Sequence, residues 1–153
     1  MEYPICTPPK ETVKDASSGI SGPDKRKEAG WSFEELQRYR EAWRRRLKKE
    51  ENERKGLRRD ALRVAEKLKE ILVQDYSVRK VVLYGSVLFE EKFARGSDID
   101  LAVEGLQKER YFEALARLQS ESLFEVDLKP MEELRGLIRE RIEGGKVLYV
   151  KNP

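Results

Sequence analysis

Apolar residues recur along this chain at two spacings, and the change from one to the other divides it. Leu36, Tyr39, Trp43 and Leu47 fall three and four apart, the single stripe of an amphipathic helix. Ser32 followed by Glu35 forms a capping box at its start, and Trp31 can staple against Leu36. The stripe fades through Lys48–Gly56 and returns at Leu57, Ala61, Leu62, Ala65, Leu68 and Leu72. This spacing predicts one long helix, or two collinear ones with a weak point at Gly56, because glycine costs about 1 kcal/mol in a helix interior.

Beyond Val78 the period shortens to two. Val78–Tyr84 reads as a strand, Gly85-Ser86 as a turn, and Asp98–Val103 as a second strand that Gly105 ends. Tyr111, Phe112, Leu115 and Leu118 mark a helix, and Leu123–Leu128 is an alternating strand stopped by Pro130. Met131, Leu134, Leu137, Ile138 and Ile142 predict a last helix, closed by Gly144-Gly145 before a final strand at Lys146–Val150. The expected fold class is therefore α/β. A small mixed sheet of three to four strands is backed by helices and preceded by a long N-terminal helical arm. Three segments follow: a flexible N-terminal segment over 1–30, a basic helical arm over 31–76, and a folded domain over 77–153. The first carries Pro4, Pro8, Pro9 and Pro23, small polar clusters and no apolar period, so it cannot offset its ordering entropy.

Composition narrows the chemistry. The chain has no histidine, which excludes histidine triads and histidine-ligated zinc and leaves carboxylates as the natural proton-transfer groups. Its single cysteine allows no internal disulfide, in keeping with a reducing, cytoplasmic setting. No apolar run reaches membrane-spanning length, and no membrane association is expected. The net charge of +3 is small but unevenly placed: Arg38–Arg59 holds eleven Lys or Arg against four Asp or Glu. That stretch reads as a solvated helix face laced with pairs such as Glu51–Lys55, or as a contact surface for RNA or an acidic protein.

The second strand carries the chemistry. Alternation puts Asp98 and Asp100 on one face and Ile99, Leu101 and Val103 on the core side. Two like charges on one strand face repel, and a divalent cation such as Mg²⁺ between them relieves that. The Gly85-Ser86 turn after an apolar strand offers backbone N–H groups and a hydroxyl to phosphate. In the later strand Glu125 and Asp127 share the face away from the core. Either one joins Asp98 and Asp100 if the two strands are neighbours.

Together Gly85-Ser86, Asp98-Ile99-Asp100 and Phe124-Glu125-Val126-Asp127-Leu128 resemble the minimal nucleotidyltransferase domains of the polymerase-beta-like superfamily. The resemblance covers about Val78–Val150 and makes 77–153 the nucleotidyltransferase domain. It implies that Asp98 and Asp100 hold two Mg²⁺ ions and that Gly85 and Ser86 bind the triphosphate of ATP. It also selects Asp127, rather than Glu125, to complete the metal site and activate the attacking hydroxyl. Antitoxins of this type pair with a helical HEPN toxin and transfer AMP to one of its tyrosines. The resemblance thus implies an adenylyltransferase antitoxin acting on a HEPN-type partner, for which Tyr39 and Trp43 on the arm would form a clamp. No separate substrate-binding domain is evident, which suits a macromolecular acceptor.

Two departures stand out. Eleven residues separate Ser86 from Asp98, one more than the family commonly has. Val87-Leu88-Phe89 also replaces the usual Ala-Arg-Gly, leaving Lys92 or Arg95 to supply the missing positive charge. A weakened, partner-binding module and a transferase acting on RNA or tRNA ends are the alternatives.

Overall fold

The computed structural model describes residues 30–153, so the flexible segment expected over 1–30 lies almost wholly outside it. The described residues belong to two compact units divided at Lys49/Glu50.

One 44-residue helix, α1 (Phe33–Tyr76), runs through the predicted arm. Its start is the capping box. Ser32 N donates to Glu35 Oε2 (2.8 Å) and Glu35 N to Ser32 Oγ (3.2 Å), so two otherwise orphaned donors are satisfied reciprocally. In the first unit Trp31 packs edge-on against the Tyr39 ring, with centroids 5.6 Å apart, and Phe33 is exposed.

Gly56 does not interrupt the helix, and a Cβ built there meets nothing within 4 Å. Gly56→Ala is therefore expected to stabilise the protein by about 1 kcal/mol, by removing backbone entropy from the unfolded chain. Urea unfolding followed by circular dichroism would read this as a higher midpoint at unchanged slope.

In the second unit α1 buries Ala61, Ala65, Leu68, Leu72 and Tyr76, spaced as one helical face. At its end Ser77 adopts a left-handed conformation and Val78 N donates to Leu72 O. The last turn has no basic residue of its own. Arg110 supplies the charge, donating to Asp75 O (3.0 Å) and stacking over the Tyr76 ring.

Four strands form the sheet: β1 (Lys80–Tyr84), β2 (Ile99–Glu104), β3 (Val126–Pro130) and β4 (Lys146–Val150), in the order β3-β2-β1-β4. β1 is antiparallel to both β2 and β4, and β2 is parallel to β3. The sheet is mixed, as expected. One face, with Val81, Leu83, Ile99, Leu101 and Val103, packs against α1 and against Ala114 and Leu118 of α2 (Tyr111–Ser120). On the other face Val82, Tyr84 and Ala102 pack under Ile142 of α3 (Leu137–Glu143), with Met131 and Leu134 alongside.

Four elements differ from expectation: β1 begins at Lys80 rather than Val78, β2 at Ile99 rather than Asp98, and two later ones depart further. The strand expected at Leu123–Leu128 begins later, at Val126, because Ser122 ties up the preceding residues: its Oγ donates to Phe124 O and accepts from Phe124 N. Leu123 is consequently exposed, and Pro130 closes the strand from within, as an edge strand permits. The last helix is broken. Met131–Glu133 forms a single 3₁₀ turn, Gly136 takes φ 66°, and only then does α3 begin. Leu137 and Ile138 stay largely exposed, so the apolar pattern read as one helical face is two separate pieces.

Side chains of α2 close the outer edge of β3. Gln119 accepts from Val126 N (2.9 Å) and donates to Phe124 O (3.0 Å), while Tyr111 Oη donates to Leu128 O (2.6 Å).

Candidate active site

Strand register assembles the site. Asp100 lies opposite Tyr84 on one side and opposite Asp127 on the other, so the three form a row across β1, β2 and β3. They lie on the face of α3, at the end of the sheet where the apolar residues stop. Asp98 stands exposed just ahead of β2. Three of the expected residues, Asp98, Asp100 and Asp127, thus come to one end of the sheet. Glu125 precedes β3, is exposed, and uses its backbone O to accept from Ile99 N.

The charges at this end are not balanced. Burial, reinforced by Asp127 and then Asp98, pushes the Asp100 carboxyl up to about 6, with Lys129 opposing. Lys129, two residues beyond Asp127 on the same face, brings Nζ onto Asp127 Oδ2. Its register partner is Ala102. Burial would lower the Lys129 pKa, but the Asp127 hydrogen bond and the nearby negative charge raise it overall. Burial also drives the Tyr84 hydroxyl up to about 12. Lys129 lies beside that hydroxyl, yet no hydrogen bond of adequate geometry joins them, so Tyr84 Oη is an unpaired buried polar atom.

The donor set suits a hard divalent cation, since all its ligands are carboxylate oxygens and the row carries excess negative charge. As placed, no group of three acidic, cysteine or histidine side chains among the described residues converges closely enough to cage an ion. Asp127 is engaged by Lys129 instead.

The Gly85-Ser86 turn is pressed against this row. Gly85 has φ 83°, and a Cβ there would overlap Asp100 Oδ2 and stand 3.0 Å from Asp100 Cγ. Glycine is required twice over, by conformation and by space. Ser86–Leu88 then makes a 3₁₀ turn, with Leu88 N donating to Gly85 O and Phe89 N to Ser86 O. Arg58 of α1 holds the turn from below: Nε donates to Val87 O (2.7 Å) and an Nη to Leu88 O (3.3 Å). Arg54 reaches Glu91 O and Lys55 pairs with Glu90 at 3.4 Å. The departure at Val87-Leu88-Phe89 has a packing reason: Val87 is fully buried, Leu88 in place of the usual Arg packs partly buried against the same core, and Phe93 anchors the loop there. Lys92 lies over the Phe89 ring, 4.4 Å from its centroid.

Arg58, Lys129 and Tyr84 were not singled out from the sequence. Strand alternation places Lys129 on the face of Asp127, so it was findable. Arg58 had only a faint signal, its position beside the returning apolar stripe of α1.

The fold has a counterpart among known proteins. Residues 66–153 match the polymerase beta nucleotidyltransferase family, more than half of the chain. The chain belongs to that family. Comparison with curated protein sequences gave no match. Among solved structures, this nucleotidyltransferase chain is similar to part of a toxin–antitoxin complex crystallised with AMP-PNP, at 25% identity over 56% of this chain and 73% of the other (TM-score 0.48). It is also similar to part of the MntA–HepT toxin–antitoxin complex, at 22% identity over 58% and 73% (TM-score 0.45). A third is the tri-AMPylated HEPN toxin of Shewanella oneidensis in complex with MNT antitoxin, at 21% identity over 60% and 73% (TM-score 0.47). No helix among the described residues is long and apolar enough to cross a membrane.

Proposed function

We propose that this nucleotidyltransferase-family protein transfers AMP from ATP to a tyrosine hydroxyl of a HEPN-type toxin partner and so acts as its antitoxin. The observation that carries the transfer reading is the contact of the Gly85 turn with Asp100, in the same cross-strand row as Asp127. A phosphate chain seated on Gly85 and Ser86 lies beside the carboxylates that must act on it. Asp98 and Asp100 are the pair that would hold Mg²⁺, with Asp127 joining once it leaves Lys129. Two bound Mg²⁺ ions would neutralise the triphosphate oxygens and the charge that develops in an in-line displacement.

This chain's own groups do the rest. Arg58 fixes the turn by donating to the Val87 and Leu88 carbonyls. Asp127 accepts the proton of the attacking hydroxyl. The acceptor oxygen bonds to the α-phosphorus as the bond to pyrophosphate breaks. The HEPN partner and the tyrosine follow from the resemblance of Gly85-Ser86, Asp98-Ile99-Asp100 and Asp127 to antitoxin domains. The single cysteine is in keeping with a cytoplasmic setting. The alternative RNA reading rested on the basic stretch, of which Arg54, Lys55 and Arg58 are engaged by the 87–91 loop.

The test is transfer of labelled ATP with Mg²⁺, offering a HEPN partner and bulk tRNA as acceptors and Asp98→Ala/Asp100→Ala as control. Label on the partner, absent with the control, is the expected result. Label on tRNA would replace the antitoxin reading by RNA-end modification. Tight partner binding without label, retained by the control, would leave a binding module.

A further inference from the structure

Beyond Asp127, on the side of the row away from the Gly85 turn, a cleft of about 700 Å³ opens between β3, the start of α2 and the 131–134 turn. Asp127 and Lys129 are part of its lining, which is otherwise largely apolar, with Tyr111, Phe112, Pro130 and Leu134. We propose that this cleft is the acceptor site and that it takes an aromatic hydroxyl presented by a polypeptide. The proposal rests on the transfer reading above and adds the residues that choose the acceptor.

Two independent observations carry it. The first is direction. In-line displacement puts the attacking oxygen and the departing pyrophosphate on opposite sides of the phosphorus. The turn for the triphosphate ends β1, Asp100 is on β2 between, and Asp127 is on β3. An acceptor therefore enters from beyond β3, where the cleft lies.

The second is the chemistry of the walls. Tyr111 is fixed by its hydrogen bond to Leu128 O, and it meets Phe112 edge to face with centroids 5.2 Å apart. Phe112 is nevertheless 79% exposed, a large aromatic lining the cleft with most of its surface in solvent. An aromatic guest would stack there, which a ribose does not exploit. The charges argue the same way. Lys129 is engaged by Asp127 and Lys108 by Glu133 at 3.3 Å, while Glu132 accepts from Gly105 N. Two lysines, Lys108 and Lys129, stand against three carboxylates, Asp127, Glu132 and Glu133, in the lining, so the cleft has no surplus positive charge for a phosphate backbone.

Saturation-transfer NMR on the full chain tests this without relying on turnover, using N-acetyl-tyrosinamide as the polypeptide probe and the dinucleotide CpC as the RNA-end probe. The expected result is transfer to the tyrosinamide ring, lost in Phe112→Ser and kept in Phe112→Tyr. Equal transfer in Phe112→Ser, transfer to CpC alone, or transfer to neither probe would each overturn the proposal. In the labelled-ATP assay, Phe112→Ser should raise the acceptor KM about tenfold with kcat little changed. Transfer by Phe112→Ser at unchanged KM would overturn the acceptor site and leave the transferase reading standing. No transfer by the wild-type protein, with tyrosinamide binding intact, would do the reverse.

Discussion

Replacing Asp100 with asparagine is expected to abolish nucleotidyl transfer and, at pH 7, to make the protein more stable. The loss follows from removing one of the two carboxylates assigned to the metal, an effect of at least about a thousandfold when transition-state charge goes uncompensated. The gain follows from the position of Asp100, half-buried between Tyr84 and Asp127 with Asp98 close by. With its pKa pushed up to about 6, the folded protein holds a proton that the unfolded chain, titrating near 3.8, has already released. Stability contributed by this group is accordingly lost as pH rises from about 4 to 6, and the penalty persists above that. That displacement corresponds to roughly 3 kcal/mol, which solvent access at the open end of the sheet reduces to about 1–2 kcal/mol. Thermal unfolding from pH 4 to 8 would show the asparagine variant drawing ahead of wild type across that window. Added Mg²⁺ should raise the wild-type midpoint and leave the variant nearly unmoved. A wild-type midpoint indifferent to Mg²⁺ would contradict the metal assignment.

Gly85→Ala is the second large effect. The new Cβ must adopt φ near +83° and overlaps the Asp100 carboxylate, so both backbone strain and steric displacement act together. Left-handed strain and overpacking each typically cost about 1–3 kcal/mol, and a total of about 2–4 kcal/mol is expected here. ATP binding should also fail, because the carboxylate and the turn cannot both keep their places. A double-mutant cycle separates the two causes. Combined with Asp100→Ala, Gly85→Ala should cost about 1–2 kcal/mol less than it does alone, since the overlap is gone and only the conformational strain remains. Strict additivity would show that the close approach of turn and carboxylate is not what demands glycine.

Much of this site could be read from local pattern. Alternation alone put Asp98 and Asp100 away from the core, because strand geometry has a period of two and Ile99, Leu101 and Val103 leave no other choice. The Gly-Ser turn was equally plain. What remained hidden depended on contacts between distant segments. Nothing local says that β3 lies beside β2 in the register that sets Asp127 against Asp100. Arg58 sits in a run of charges whose ordinary fate is solvent, and only the fold turns it under the 86–88 carbonyls. The leucines at 134 and 137 share a helical spacing, but Gly136 at φ 66° separates them. The apparent loss of charge falls at Leu88, where the usual motif has Arg, and Leu88 packs partly buried against the core.

The two margins of the sheet are unlike, and that limits how copies of it can add to one another. Gln119 and Tyr111 occupy backbone groups on the outer side of β3, so an incoming strand finds no free ladder there. β4 has no such cover among the described residues, and Val147 and Val150 are half-exposed along it. A sheet that can accept a strand on one side only can pair with a second copy, margin to margin, but cannot propagate into a fibre. The hydrogen bonds that complete the α2–β3 contact therefore also act as a terminator against open-ended polymerisation.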